Sequence, residues 1–170
     1  MGIDFFPPGE VLNPTDPRVL YDLSTGRWYA SILAFNGPSF DSGVILAVSK
    51  TNDPAGVWTV YWMAGGSGAI CDQPKLGFSS DKFVIGCTLF NNPFNPTFVG
   101  AFLIVANKAQ GLSGTSIKES SFGPNTSAFG LVPAENMSSG LCSLRPRCLP
   151  RRRFPPRPAS AGRSPSRFSR

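Results

Sequence analysis

The 170-residue chain contains no histidine. That excludes a Ser-His-Asp or Cys-His triad, histidine general-base chemistry and histidine-ligated metal sites. Long apolar runs are missing too. The longest, residues 98–106, falls well short of the roughly 20 residues that a membrane-spanning helix needs. The N-terminal MGIDFFPPGE lacks the basic n-region and apolar h-region of a secretory signal, so no signal peptide is expected in this chain. Acids are absent from residues 141–170, which hold nine arginines and no lysine. The ten acids and the other seven bases lie in residues 1–140, so the net charge of +6 is the sum of −3 and +9. What is abundant is Gly (18) and Pro (17), together with Val, Ile, Phe and Trp. That mixture predicts short strands and tight turns, an all-β chain.

An internal repeat organises the body. Residues 16–22, a turn and residues 27–36 read Pro, base, aliphatic, any residue, aromatic, turn, base, aromatic, apolar stretch, Phe-Asn. Residues 73–79 and 82–91 read the same way, offset by 57 and then by 55. A third strand follows in each copy, at residues 43–49 and 100–106, again offset by 57. A fourth is expected at residues 57–63, with a weaker counterpart at 115–121. Four short strands over about 55 residues match one blade of a β-propeller, and kelch-type blades run about 50 residues. Residues 98–106 are apolar on both faces, as in a strand covered on both sides. The expected architecture is a partial β-propeller. It has an irregular segment at 1–15, blades at 16–70 and 71–131, the start of a third repeat at 132–140 and a disordered tail at 141–170.

Between strands three and four of the first copy, Ser49, Asp53, Gly56 and Trp58 lie in a run with turn chemistry. An Asp carboxylate accepts backbone N–H bonds, Pro54 presets φ and Gly56 tolerates positive φ. This resembles the Asp-box of sialidase-like propellers, with one extra residue between Asp53 and Gly56. The second copy has Asn107 to Gly111 there, without the Asp or the Trp. Together the segments DPRVLYDLSTGRWYAS, AVSKTNDPAGVWTVY and CDQPKLGFSSDKFVI resemble bacterial secreted propeller proteins of the sialidase-like or BNR-repeat type, over residues 12–135. The resemblance implies an extracellular or cell-surface parent protein, a non-catalytic scaffold or a binder of a protein or carbohydrate ligand. The missing blades of that parent would be the chain's first partners. The alternative it implies is a fragment of a propeller glycoside hydrolase.

The candidate chemistry is thin. Asp16 precedes a Pro at the start of the first blade, where propeller glycosidases place a general base. An inverting pair needs a second carboxylate about 6.5–9.5 Å away, and no other acid sits in a comparable motif. The structural reading, with Asp16 shaping the strand entrance as Asp72 does in the second copy, is preferred. The body offers just Arg18 and Arg27, and the arginine-containing Phe/Tyr-Arg-Ile-Pro motif is absent, so sialidase chemistry is not expected. Cys71 and Cys87 could join as a disulfide in a secreted parent. A straight hairpin would set Cys71 opposite a residue near 90, so two buried thiols stay equally open. Cys142 and Cys148 show no recognised metal-ligand spacing. Trp28, Tyr29, Trp58, Tyr61 and Trp62 are read as core between blades. Asp41, Asp53 and Asp81 are read as turn residues, since no Asp-x-Asp-x-Asp run exists. No cofactor or metal is expected. In residues 141–170, Arg, Pro and Ser make up 20 of 30, a composition that packs no core. A basic arm, an inert tail and out-of-frame translation of GC-rich DNA compete for it. The third explains best why composition changes where the third repeat should continue. Nucleic acid is therefore not expected as a specific partner, and residues 35–42 and 91–97 are generic binding loops.

Overall fold

The computed structural model describes residues 12–36, 41–64, 68–91 and 95–135. Strands β1 (Leu12–Asp22), β2 (Arg27–Asn36), β3 (Asp41–Ser49) and β4 (Trp58–Ala64) form one antiparallel sheet in chain order, sheet A. Strands β5 (Ala69–Phe78), β6 (Lys82–Asn91), β7 (Thr97–Asn107) and β8 (Glu119–Asn125) form a second, sheet B. A helix, α1 (Lys108–Ser113), lies between β7 and β8. The chain is thus all-β, with one four-stranded antiparallel sheet for each sequence repeat, and neither sheet closes on itself. The arginine tail, the later part of the third repeat and the tips of both generic binding loops lie outside the described residues.

Three boundaries differ most from the sequence expectation. β1 begins at Leu12 rather than 16, and β5 already begins at Ala69. The fourth strand of the second repeat runs Glu119–Asn125, not 115–121. The cause of this last shift is α1. Asn107 caps it by accepting the Gln110 N–H at 3.1 Å, and Gly114 ends it with φ 77°. Sheet A places a hairpin connection where sheet B inserts this helix.

The Pro-base signature of each repeat is a bulge in its first strand. Pairing of β1 with β2 shifts between Thr15 and Arg18, and pairing of β5 with β6 shifts between Asp72 and Lys75. Asp16 (φ 53°) and Gln73 (φ 49°) carry the left-handed backbone, each just before its proline. An extra residue on one strand reassigns every later side chain to the other face. It therefore decides which residues of β1 and β5 enter the core.

That core lies between the sheets. Tyr29, Val44, Leu46, Val48 and Met63 of sheet A meet Leu76, Phe78, Phe83, Ile85, Phe102 and Ile104 of sheet B. Tyr29 directs its ring edge-on to Phe78 and Phe83, with centroids 5.2 and 4.8 Å apart. The far face of sheet B is crossed by the chain after β8. Gly130 N–H donates to Thr88 Oγ1 at 3.3 Å, and Glu135 bridges in parallel to Phe78. Gly77 and Gly86 make room for this crossing. A Cβ on Gly86 would sit 2.4 Å from the Leu131 carbonyl oxygen, and one on Gly77 2.6 Å from that of Ala134. Gly86→Ala is accordingly expected to lower stability by about 1–3 kcal/mol through overpacking, seen as a lower urea midpoint. An unchanged midpoint would mean the crossing segment yields freely.

Candidate functional site

The two sheets treat equivalent faces differently. By the repeat offsets, Val19, Tyr21, Trp28, Ala30, Ile32, Ile45 and Ala47 correspond to Leu76, Phe78, Phe83, Ile85, Cys87, Phe102 and Ile104. The sheet B set is buried against sheet A. The sheet A set forms the opposite face of that sheet, on which no strand or helix among the described residues packs, although Ile45 and Ala47 there are only 2% and 1% exposed. Val19 is 58% exposed, whereas Leu76 is 5% exposed. An apolar groove of about 250 Å³ runs over this face, floored by Ala30, Ile32, Ile45 and Ala47 and flanked by Val19 and Trp58. Alternation along β4 adds Val60 and Trp62, 40% and 49% exposed. Several exposed apolar side chains on one face, here Val19, Val60 and Trp62, mark an interaction site more often than a lone one does. Expecting Trp28, Trp58 and Trp62 in the core thus needs correcting within these residues. Tyr29 is fully buried and Tyr61 half-buried, but the three tryptophans line or border this outer face.

The turn at 49–58 frames one end of the groove. Asp53 Oδ1 accepts the Ala55 N–H at 2.9 Å, the Gly56 N–H returns to the Asp53 carbonyl at 3.1 Å, and Trp58 Nε1 donates to the Pro54 carbonyl at 3.0 Å. Ser49 Oγ accepts the Trp28 N–H at 2.9 Å and donates to the Thr51 carbonyl at 2.7 Å. Trp28 Nε1 reaches the Asn52 carbonyl at 2.9 Å. Ser49, Asp53, Gly56 and Trp58 therefore meet in one turn, and their hydrogen bonds hold two tryptophans against the sheet.

A sealed polar cluster joins the sheets. Lys108 Nζ, at the start of α1, lies 2.7 Å from Asp22 Oδ2 and donates to the Ser79 carbonyl at 2.7 Å. Both side chains are 2% exposed. Tyr29 OH donates to Asp22 Oδ2 at 2.9 Å, while Ser24 and Thr25 also donate to that carboxylate. Lys108 Nζ lies 4.7 Å from the centre of the Phe78 ring, adding a cation–π contact. Burial alone would push the Asp22 carboxyl up. Hydrogen bonds from Lys108, Ser24 and Thr25 outweigh it and hold the group well below the usual carboxylate range. Burial also raises the Tyr29 phenol. With its charges paired and closed to water, the cluster is built to fasten sheet A to sheet B. Asp22 and Lys108 are 86 residues apart, and no local pattern announces them.

Asp16 occupies the left-handed bulge position, and its counterpart in sheet B is Gln73, as the repeat offset of 57 aligns them. The bulge accepts either side chain, so it does not require a carboxylate. Even so, a second acid feels Asp16. Burial raises the Asp72 carboxyl, and the Asp16 charge raises it further. Cys71 and Cys87 form a disulfide with Cα atoms 5.3 Å apart. The bulge pairs Cys71 with Leu89, which brings Cys87 to the same face on the diagonal. Among the described residues, no three His, Cys, Asp or Glu side chains gather to hold a metal ion. Nor is any described helix long and apolar enough to cross a membrane. No protein-family model matches the chain, and neither a curated protein nor a solved structure is significantly similar to it.

Proposed function

We propose that the chain is a non-catalytic β-propeller repeat segment of an extracellular bacterial protein, serving as scaffold or as a binding surface for a protein or carbohydrate. The observation that carries this reading is the equivalence of faces. Each repeat makes the same four-stranded sheet, and the face that sheet B buries against sheet A is the one on which no described strand or helix packs in sheet A. Successive sheets stacked face to face are how blades assemble. The chain after β8 crosses Gly77 and Gly86 of sheet B much as β5 lies against β1, β2 and β3 of sheet A. The buried Cys71–Cys87 disulfide suits an oxidising compartment.

One observation favours the glycosidase alternative. Asp16 and Asp72 stand on the first strands of adjacent sheets, and one of them has a raised carboxyl, the pairing an acid–base mechanism uses. Assay of the purified chain against a panel of chromogenic glycosides separates the two. No turnover above buffer is expected. Turnover abolished by Asp16→Asn or Asp72→Asn would establish the enzyme fragment instead.

A further inference from the structure

The geometry points to β4 as an edge that pairs with β4 of a second copy, in an antiparallel contact about a two-fold axis. Four strands end the two sheets among the described residues: β1 and β4 in sheet A, β5 and β8 in sheet B. An open edge offers its outward N–H and C=O groups to any other strand, and proline, charge and bulges are what blunt it. β1 carries Pro14, Pro17 and Arg18 with a register shift, and β5 carries Pro74 and Lys75 with another. β8 carries Glu119 and Pro124, and its pairing with β7 shifts too. Of the four, β4 alone has none of these devices. It reads Trp-Thr-Val-Tyr-Trp-Met-Ala, without charge, proline or glycine, and pairs with β3 in unbroken register from Trp58 to Ala64. A short uncharged run of β-branched and aromatic residues is what strand pairing between chains selects.

The phase of the β3–β4 ladder shows which backbone groups face outward. Lys50 N–H donates to the Val57 carbonyl at 2.8 Å. Hydrogen-bonded and non-bonded pairs then alternate, so Thr59, Tyr61 and Met63 bond to β3 while Val60 and Trp62 turn their N–H and C=O away from it. The Trp62 side chain does not screen them, because its indole lies back over Gly43 of β3, 2.4 Å from where a Cβ would sit. A second copy is the occupant because β4 complements itself. With the two-fold axis at Tyr61, Trp62 of each copy stands opposite Val60 of the other, and each such pair exchanges both backbone hydrogen bonds. The same register sets an indole beside a β-branched side chain, a favourable cross-strand neighbour, and brings no like charges together. A charged peptide would find no counter-charge on this strand. The contact is isologous and uses up the edge, so assembly stops at two copies.

Sedimentation velocity on the full chain over a concentration series tests this. Wild type should move from the mass of one chain toward that of two as concentration rises. Val60→Pro should stay monomeric, because proline there removes an outward N–H and no bond to β3, the placement an edge strand accepts. Val60→Thr, which keeps the N–H and the β-branched shape, should still dimerise. Far-UV circular dichroism checks that each variant keeps the fold. Should Val60→Pro fail to fold, hydrogen exchange on the wild type decides. The Val60 and Trp62 amides should gain protection with concentration, and the amides of β8 should not. A wild type that is monomeric throughout overturns the proposal, and so does assembly beyond two chains. A folded Val60→Pro that dimerises, a monomeric Val60→Thr, or concentration-independent exchange at Val60 and Trp62 overturns it as well. None of these outcomes touches the non-catalytic reading, whose own test is glycoside turnover.

Discussion

Lys108→Met should lower the free energy of unfolding by about 3–5 kcal/mol, the range for removing one partner of a buried ion pair. The Lys108 ammonium and the Asp22 carboxylate are 2.7 Å apart and sealed from water, so the variant leaves a buried anion without its cation. Ser24, Thr25 and Tyr29 still donate to that anion, which keeps the loss from being larger. Urea denaturation should show the effect. With m of about 1–3 kcal/mol per molar, the midpoint falls by at least about 1 M. Asp22→Asn combined with Lys108→Met should cost less than the sum of the single changes, because the second removes a charge the first has already stranded. The pH dependence fixes the sign. Asp22 is held below the usual range in the fold, so its contribution is complete above the unfolded value of about 3.9 and is lost as pH falls below it. The deficit of Lys108→Met should therefore be widest near neutrality and narrow below about pH 4. A midpoint equal to wild type at neutral pH would mean the pair does not hold the sheets together.

That same pair marks the limit of what could be read from the chain. The repeat was legible because Pro, base, aliphatic and aromatic residues recur at fixed spacing, and a bulge, a strand and a turn each need those types locally. Strand number and order followed. The fourth strand of sheet B was displaced because six residues went into α1, whose signals are only a capping Asn107 and a Gly114 stop. Nothing local ties Asp22 to Lys108, since their meeting depends on how two sheets stack. The tryptophans illustrate the converse. Aromatic residues on strands read as core, and here Trp28, Trp58 and Trp62 border the face on which no described strand or helix packs. Composition reports that a surface is apolar; it does not report whether a neighbour covers it.

Deleting Gln73 should leave the Cys71–Cys87 disulfide intact. From Lys75 to Phe78, β5 pairs with β6 so that a straight strand of the same length would set Cys71 against Phe90, three residues from Cys87 and therefore on the opposite face. The extra residue at the bulge moves the partner of Cys71 to Leu89, two residues from Cys87, and both sulfurs then share the inner face. Removing Gln73 takes out that extra residue, so the bulge closes while Cys71 stays opposite Leu89. Thiol titration of the denatured, non-reduced chain should find no more free thiols than in wild type. Cys71→Ala with Cys87→Ala removes the bond and keeps the register. It should cost about 3 kcal/mol, the loop-closure value for a cross-link of this span. Reductant should act on the native wild-type chain no faster than the fold opens, since Cys71 and Cys87 are 0% and 1% exposed. If the deletion variant loses its disulfide, the register of β5 is not set by the bulge, and the role assigned to the Pro-base signature in both repeats falls with it.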